Sequence, residues 1–512
     1  MTPDDHRPTA SEPLSRRAFI AASGAAAIGT HLGGPLINLE PEHPVTDSAT
    51  TPAPAFNILA LSAGQIAESI RNKELTSENA VRALLERIDA VNPKLNAVVQ
   101  IQHDAALKRA READLVPHDK RGPLHGVPIT IKDSLDTAGI ISTGGTKGRA
   151  NYIPPRDATA VARLKAAGAI ILGKTNTPDL TMAFETNNLV YGRTNNPFDV
   201  TRTPGGSSGG AAAIVAAHGS PLDIGSDTGG SIRVPSHFCG IAGIKPTAGR
   251  VSRAGHIIDF AGPCESLTHV GPLARTVDDL ALALHIIAGP DNIDPHVVAA
   301  PLGDYTKILV KNLRVAYFID LGSLKPTAET ASCVENALKI LEKAGCKHKA
   351  IEIPDADDIY ARYTGLIWGD GGAGMARILE RWGTTESPLF DRIKAATVLS
   401  SADYSAQYEK FDNWRSQLLH LFADYDVIVC PVNGGPAPLH GTFSRPAAAY
   451  TQLFDLTGWP STVIRAGTSP EGLPLGIQCV THPWREDLSL AVAKHLETAF
   501  GPFQGPSLTG RS

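Results

Sequence analysis

An α/β fold, with helices layered around one sheet, is what this chain predicts, on three observations. Segments of helical periodicity alternate with short, continuously apolar runs of strand length. No internal repeat occurs, and beyond residue 55 no Pro/Ser linker is long enough to split the chain. An apolar content of 42% with 48 Gly and 38 Pro among 512 residues suits many buried elements joined by tight connections.

The first stretch stands apart from that pattern. "SRRAFIAASGAAAIG" places Arg16-Arg17 before a small apolar run from Ala18 to Ile28, and it resembles a twin-arginine export signal. The run is too short and too rich in Gly and Ala for a stable membrane span. No cysteine follows it to carry a lipid, and "EPEHPVTDSATTPAPA" reads as a linker in which Ala53-Pro54-Ala55 is an A-x-A cleavage point. The expected division is a signal peptide and linker over 1–55 and one domain over 56–512. Periplasmic or secreted localisation follows from a working leader, and a cytoplasmic one from a silent leader.

From Ile58 the elements follow in order. Ser62 and Gln65 form an S-x-x-Q capping box that opens a helix over 62–72. Thr76 caps a second, where Val81, Leu84, Leu85, Ile88 and Val91 share one face and Pro93 is expected to end it. "VPITIKD" at 127–133 reads as a strand feeding a loop. "ATAVARLKAAGAIILGKTN" reads as a helix, a glycine stop and the buried strand 169–172. "SPLDIGSDTGGSIRVPS" is a strand-like run ending in a glycine-rich turn. Helical patterns recur near 276–288, 328–344 and 484–499, and strand-like runs at 313–318 and 426–431.

Several function classes lose support at once. Forty-seven basic against 52 acidic residues give a net charge of −5, without the basic face of a nucleic-acid binder. Cys239, Cys264, Cys333, Cys346, Cys430 and Cys479 are scattered, with no C-x-x-C pair, so they read as free, mostly buried thiols, not a zinc site or disulfide frame. Gly168 to Thr175 matches G-x-x-x-x-G-K-[ST], but its intervening residues are themselves the strand and Pro178 interrupts any helix. Gly205-Gly-Ser207-Ser-Gly209 matches the G-x-S-x-G elbow. An elbow needs a strand running into the serine, and the preceding residues carry Pro197 and Pro204.

Three segments remain: "GPLHGVPITIKD" with Lys132, "TPGGSSGGAAA" with Ser207, and "GSDTGGSIRVPSHFCGIAGIKPT" with Ser231. Each puts polar chemistry at the end of an apolar run, among glycines that let backbone amides approach a ligand. A serine is a poor nucleophile without a base, and a lysine becomes one once burial makes its amine neutral. Asp227-Thr228-Gly229-Gly230-Ser231 supplies successive amides for a developing oxyanion.

Together these segments resemble the amidase signature family, with similarity running from about residue 58 to 500 and densest at "GGSSGG", "DTGGSIR" and "CGIAGIKPT". The resemblance implies one large domain around a mixed, twisted sheet of many strands flanked by helices. It implies a Ser-cisSer-Lys triad with Ser231 as acylated nucleophile, Ser207 as the cis-peptide relay and Lys132 as base. Thr228, Gly229, Gly230 and Ser231 would line the oxyanion hole, with Ser208, Asp227 and Arg233 in support. The implied enzyme is a cofactor-free amidase that needs no metal, cleaving a small-molecule amide to an acid plus ammonia or amine, as a monomer or homodimer. One alternative is the glutaminase subunit of a tRNA-dependent amidotransferase; such subunits are cytosolic and need partner chains, against which the leader speaks. Another is a catalytically silent binding protein, against which the intact Lys132, Ser207 and Ser231 speak. The chain departs from the family at "SLTHVGPLARTV", where Thr268 and His269 replace an S-x-D-x-x-G-P pattern and are expected to touch packing or the pocket wall. It is only loosely similar over 357–450, a region expected to line the acyl pocket, where Tyr360, Tyr363 and Trp368 could form an aromatic wall.

Overall fold

The apolar runs assemble into one sheet in a computed structural model that describes residues 57–506. The expected leader, with Arg16-Arg17 and the Ala53-Pro54-Ala55 cleavage point, lies outside the described residues. In chain order the strands are β1 (Val98–Ile101), β2 (Pro128–Lys132), β3 (Ile170–Thr175), β4 (Asn187–Asn188), β5 (Gly192–Arg193), β6 (Leu222–Asp227) and β7 (Ala242–Lys245). They continue as β8 (His269–Ala274), β9 (Arg314–Tyr317), β10 (Lys347–Ala350), β11 (Val427–Pro431), β12 (Ser461–Thr468) and β13 (Pro474–Thr481). Eleven of them form one sheet in the order β1-β3-β2-β6-β8-β7-β12-β13-β11-β9-β10, and β4 and β5 pair as a separate ribbon. The sheet is mixed: β2 runs parallel to β3 and β6, β9 parallel to β10 and β11, and the strands between pair antiparallel. Helices cover it, so β2, β3 and β6 are buried along their whole length, the burial that a continuous apolar run anticipates.

The two helices whose caps the sequence names start where those caps place them. The Ser62–Gln65 capping box is formed and opens Ala63–Arg71. The helix capped by Thr76 is Ser77–Leu95, so it passes the expected stop at Pro93. A proline in the last turn removes one amide, and the helix ends two residues later at Leu95, capped by left-handed Asn96, whose N–H reaches Asn92 O. The later helical patterns appear as Val277–Ile287, Ala328–Lys343 and Glu486–Phe500.

Local patterning does not anticipate β8, "HVGPLA", which carries Gly271 and Pro272. Its Pro272 sits just beyond Leu273, the last residue that pairs with β7, so that ladder does not extend over the proline. Two large apolar clusters form. One packs the sheet against helices from both ends of the chain, Ser77–Leu95 and Glu486–Phe500 among them; the other gathers Ile359, Tyr363, Ile367, Trp414, Tyr450 and Phe454. All six cysteines are free and buried. Among the described residues no His, Cys, Asp and Glu group could hold a metal, and no helix is long and apolar enough to cross a membrane.

Candidate active site

Lys132 ends β2 between β3 and β6, with no exposed surface. Its Nζ lies 2.6 Å from Ser207 Oγ, 2.9 Å from Ser208 Oγ and 3.0 Å from Ser226 Oγ. Burial pulls this amine down to about 7 against the opposing charges of Asp227 and Asp223. Ser207 follows Gly206 through a cis peptide bond, immediately before the helix Gly209–Ala216. That helix is wholly buried, and its start presses on the chain, where a Cβ on Gly210 would stand 2.4 Å from Asn176 N. No strand runs into Ser207, in keeping with the objection to an elbow. The P-loop look-alike is also strand: Gly173 and Lys174 lie inside β3, and Lys174 Nζ binds Thr137 Oγ1 at 2.7 Å.

Ser231 sits in the turn between β6 and the helix Arg233–Cys239. Its carbonyl accepts from Ser208 N at 3.1 Å, which fastens this turn to the Ser207 segment. Asp227 organises the turn, accepting from the amides of Gly230 at 2.6 Å, Ile232 at 3.0 Å and Arg233 at 3.3 Å. The Arg233 guanidinium binds both Asp227 oxygens at 3.0 and 2.9 Å, Asp455 Oδ2 at 2.5 Å and Thr451 O at 2.8 Å. Burial alone would raise Asp227, yet the Arg233 charge and hydrogen bonds hold it well below the usual carboxylate range. Burial raises Asp455 instead, with the Asp227 charge adding to the effect, so the carboxylates are unequal partners of one guanidinium. Thr451, on the helix Ala449–Thr457, donates from Oγ1 to Gly229 O at 2.8 Å. Gly230 has φ +129°, and a Cβ there would meet Thr451 Oγ1 at 2.3 Å, so no other residue fits.

Thr228, Gly229 and Ser231 open onto a cavity of about 280 Å³. Tyr360, Tyr363 and Trp368 line it, and so do Arg392 and Arg445, all within the loosely similar region 357–450. Arg392 lies over the Trp368 ring at 4.5 Å and donates to Met182 O at 2.8 Å. Glu185, on the same wall, has both oxygens engaged by Gly441 N at 3.0 Å. Thr268 meets Thr228, Oγ1 to Oγ1, at 3.0 Å, and His269 Nδ1 lies 3.3 Å from Asp227 O. These two departures therefore support the wall and the turn.

Sequence reasoning missed two groups around the lysine. Ser226 stands one residue before Asp227 inside the quoted "GSDTGG", and its place on β6 next to β2 was the available signal. His256 carried no local signal. Its Nδ1 accepts from Ile258 N at 3.3 Å, which leaves Nε2 to donate to Ser226 Oγ at 2.9 Å. Burial, with Lys132 and Arg253 nearby, keeps this imidazole neutral, well below its ordinary value.

The profile of the amidase family matches residues 79–490. A glutamyl-tRNA(Gln) amidotransferase subunit from Carboxydothermus hydrogenoformans is 37% identical over 477 residues, covering 85% of this chain and 96% of that protein. Among solved structures, 6-aminohexanoate cyclic dimer hydrolase with its substrate has a TM-score of 0.79 at 27% identity, covering 88% of this chain and all of that one (100%). The corresponding glutamyl-tRNA(Gln) amidotransferase subunit from Thermotoga maritima has a TM-score of 0.74 at 28% identity, covering 89% and 99%. A profile match across most of the chain, a relative at this identity, and an eleven-stranded mixed sheet shared with those structures lead to one conclusion: the chain belongs to the amidase signature family and is an enzyme that hydrolyses carbon–nitrogen bonds.

Proposed function

We propose that this enzyme releases ammonia from the side-chain amide of glutamine, as the glutaminase subunit of an amidotransferase, through an acyl-enzyme on Ser231. The observation that carries the reading is a buried lysine, its amine pulled down to about 7 and bonded to Ser207, beside a cavity lined by Ser231, Arg392 and Arg445. Lys132 takes a proton from Ser207 as Ser207 takes one from Ser231, whose oxygen attacks the amide carbon. The amides of Thr228, Gly229 and Ser231 receive the oxyanion; Gly230 N already donates to Asp227 and is left to hold the turn. Breakdown expels ammonia, which takes a proton back through Ser207, and water then attacks the acyl-enzyme by the same relay. Ser208 and Asp227 hold the geometry, and Arg233 anchors Asp227. No cofactor or metal enters these steps. Arg392 and Arg445 suit the carboxylate of an amino-acid substrate, and the 37% identity with an amidotransferase subunit supports the same choice.

A second reading, favoured by Arg16-Arg17 and the apolar run after it, is an exported amide hydrolase that works without partner chains. Ammonia release from glutamine, followed beside hydrolysis of neutral anilides, primary amides and esters, separates the two. The first reading expects glutamine to be the best substrate, and Ser231→Ala to lose about a thousand-fold or more in kcat. Full turnover by Ser231→Ala would sink the mechanism; anilide turnover with glutamine inert would replace the first reading by the second.

A further inference from the structure

Two glutamines are fully buried near the nucleophile turn, and they differ in one respect. Gln478, on β13, is satisfied: its Nε2 donates to Pro431 O and Tyr450 O at 2.8 and 2.9 Å, and its Oε1 accepts from Ser461 Oγ at 2.9 Å. Gln452, with 0% exposure, lines the cavity that contains Ser231, and neither its Nε2 nor its Oε1 has a partner among the described residues. Its neighbour Thr451 is pinned on both sides, Oγ1 donating to Gly229 O and Ala448 O while its carbonyl accepts from Arg233. The carboxamide is therefore held on a rigid helix next to the reacting turn and left for an occupant of the cavity. Buried polar groups are nearly always paired, so this carboxamide calls for a partner from inside the cavity.

We propose that Gln452 determines specificity: its Oε1 and Nε2 pair with a hydrogen-bonding substituent, amino or hydroxyl, on the acyl group, so that amides of polar acids are preferred to those of alkyl acids of the same size. This rests on reading the cavity as the acyl pocket, and glutamine is one member of the class. Tyr363 and Trp368 supply the apolar contact, Arg392 and Arg445 attract a carboxylate, and Gln452 reads the neutral or donor group that the arginines cannot. A site built to hydrogen-bond its substrate rejects the analogue lacking that group, because its own polar atoms are then stranded.

The test uses amide pairs that differ in one polar group: glutamine against 4-carbamoylbutanoate, lactamide against isobutyramide, and 4-hydroxybenzamide against 4-methylbenzamide. Wild type is expected to favour the polar member in kcat/KM by about ten- to hundred-fold, the range for leaving a buried donor or acceptor unmet. In Gln452→Met that preference collapses, and kcat/KM for the apolar member rises. Gln452→Asn, which withdraws the amide by one methylene while keeping its polarity, loses the preference by a second route if the Met variant does not fold. A preference left unchanged in the variants, or an apolar preference in wild type, overturns the proposal. If the glutamine pair is inert while another pair follows the pattern, the glutamine reading falls and the role of Gln452 stands. Turnover of no pair overturns both.

Discussion

At the scale of residues, the site turns on keeping one amine neutral. Lys132 is pulled down to about 7 by burial, while Asp227 and Asp223 draw the other way. Its base form does the work in the proposed relay, so kcat/KM should be flat above pH 7 and fall as pH drops through that value. Asp223, itself raised to about 7 by burial, accepts from Thr175 Oγ1 at 3.1 Å. Asp223→Asn keeps that acceptor and removes a negative charge that favours the ammonium, so the acid limb should move to lower pH. A limb that stays in place or moves up would remove Asp223 from the account. Lys132, Ser207 and Ser231 were legible because each stands in a glycine-rich motif at a strand or helix end. Ser226 and His256 were not: a serine among many and one histidine become a chain only when β6 lies next to β2 and the 256 loop folds over both.

At the scale of elements, the working parts sit where regular structure stops: the end of β2, the start of the helix Gly209–Ala216, and the turn after β6. The helix Ala449–Thr457 braces that turn through Thr451, which contacts Gly229 from 222 residues away in sequence. Thr451→Val keeps the shape and strands the Gly229 carbonyl, at a cost of about 1–3 kcal/mol. We expect a lower melting temperature and roughly ten-fold lower kcat with less change in KM, because the turn that carries Ser231 loosens. Stability lost with kcat untouched would show that Thr451 braces the fold but not the reaction. Strands and helices with continuous apolar runs or one-sided faces were readable; β8, with Gly271 and Pro272, was not, because its burial comes from neighbours and not from its own pattern. The helix Ser401–Phe422 is mostly polar and buries only Phe411, Trp414, Leu418 and Phe422, too few to stand out beforehand.

At the scale of the whole molecule, the expected division at residues 55 and 56 makes its own prediction. A protein beginning at Phe56 should melt as the full chain does and keep its kcat on the best amide; loss of either would give residues 1–55 a part in the domain. Replacing Arg16 and Arg17 with lysine should keep an exported protein in the cytosol. Cell fractionation decides: an unchanged distribution between cytosol and periplasm removes the twin-arginine reading.

By itself the sequence determined the α/β class, the helix starts after Ser62 and Thr76, and the three segments that carry Lys132, Ser207 and Ser231. Periodicity, caps and glycine-rich turns are local properties, written within a dozen residues. Tertiary structure alone decided what surrounds the lysine, why Asp227 and Asp455 differ, and that Gln452 lines the cavity unpaired while Gln478 is satisfied. Those outcomes join residues 75 or 222 positions apart. They depend on strand order and burial, which set the dielectric around a charge and the partners within its reach, and neither is written in any one segment.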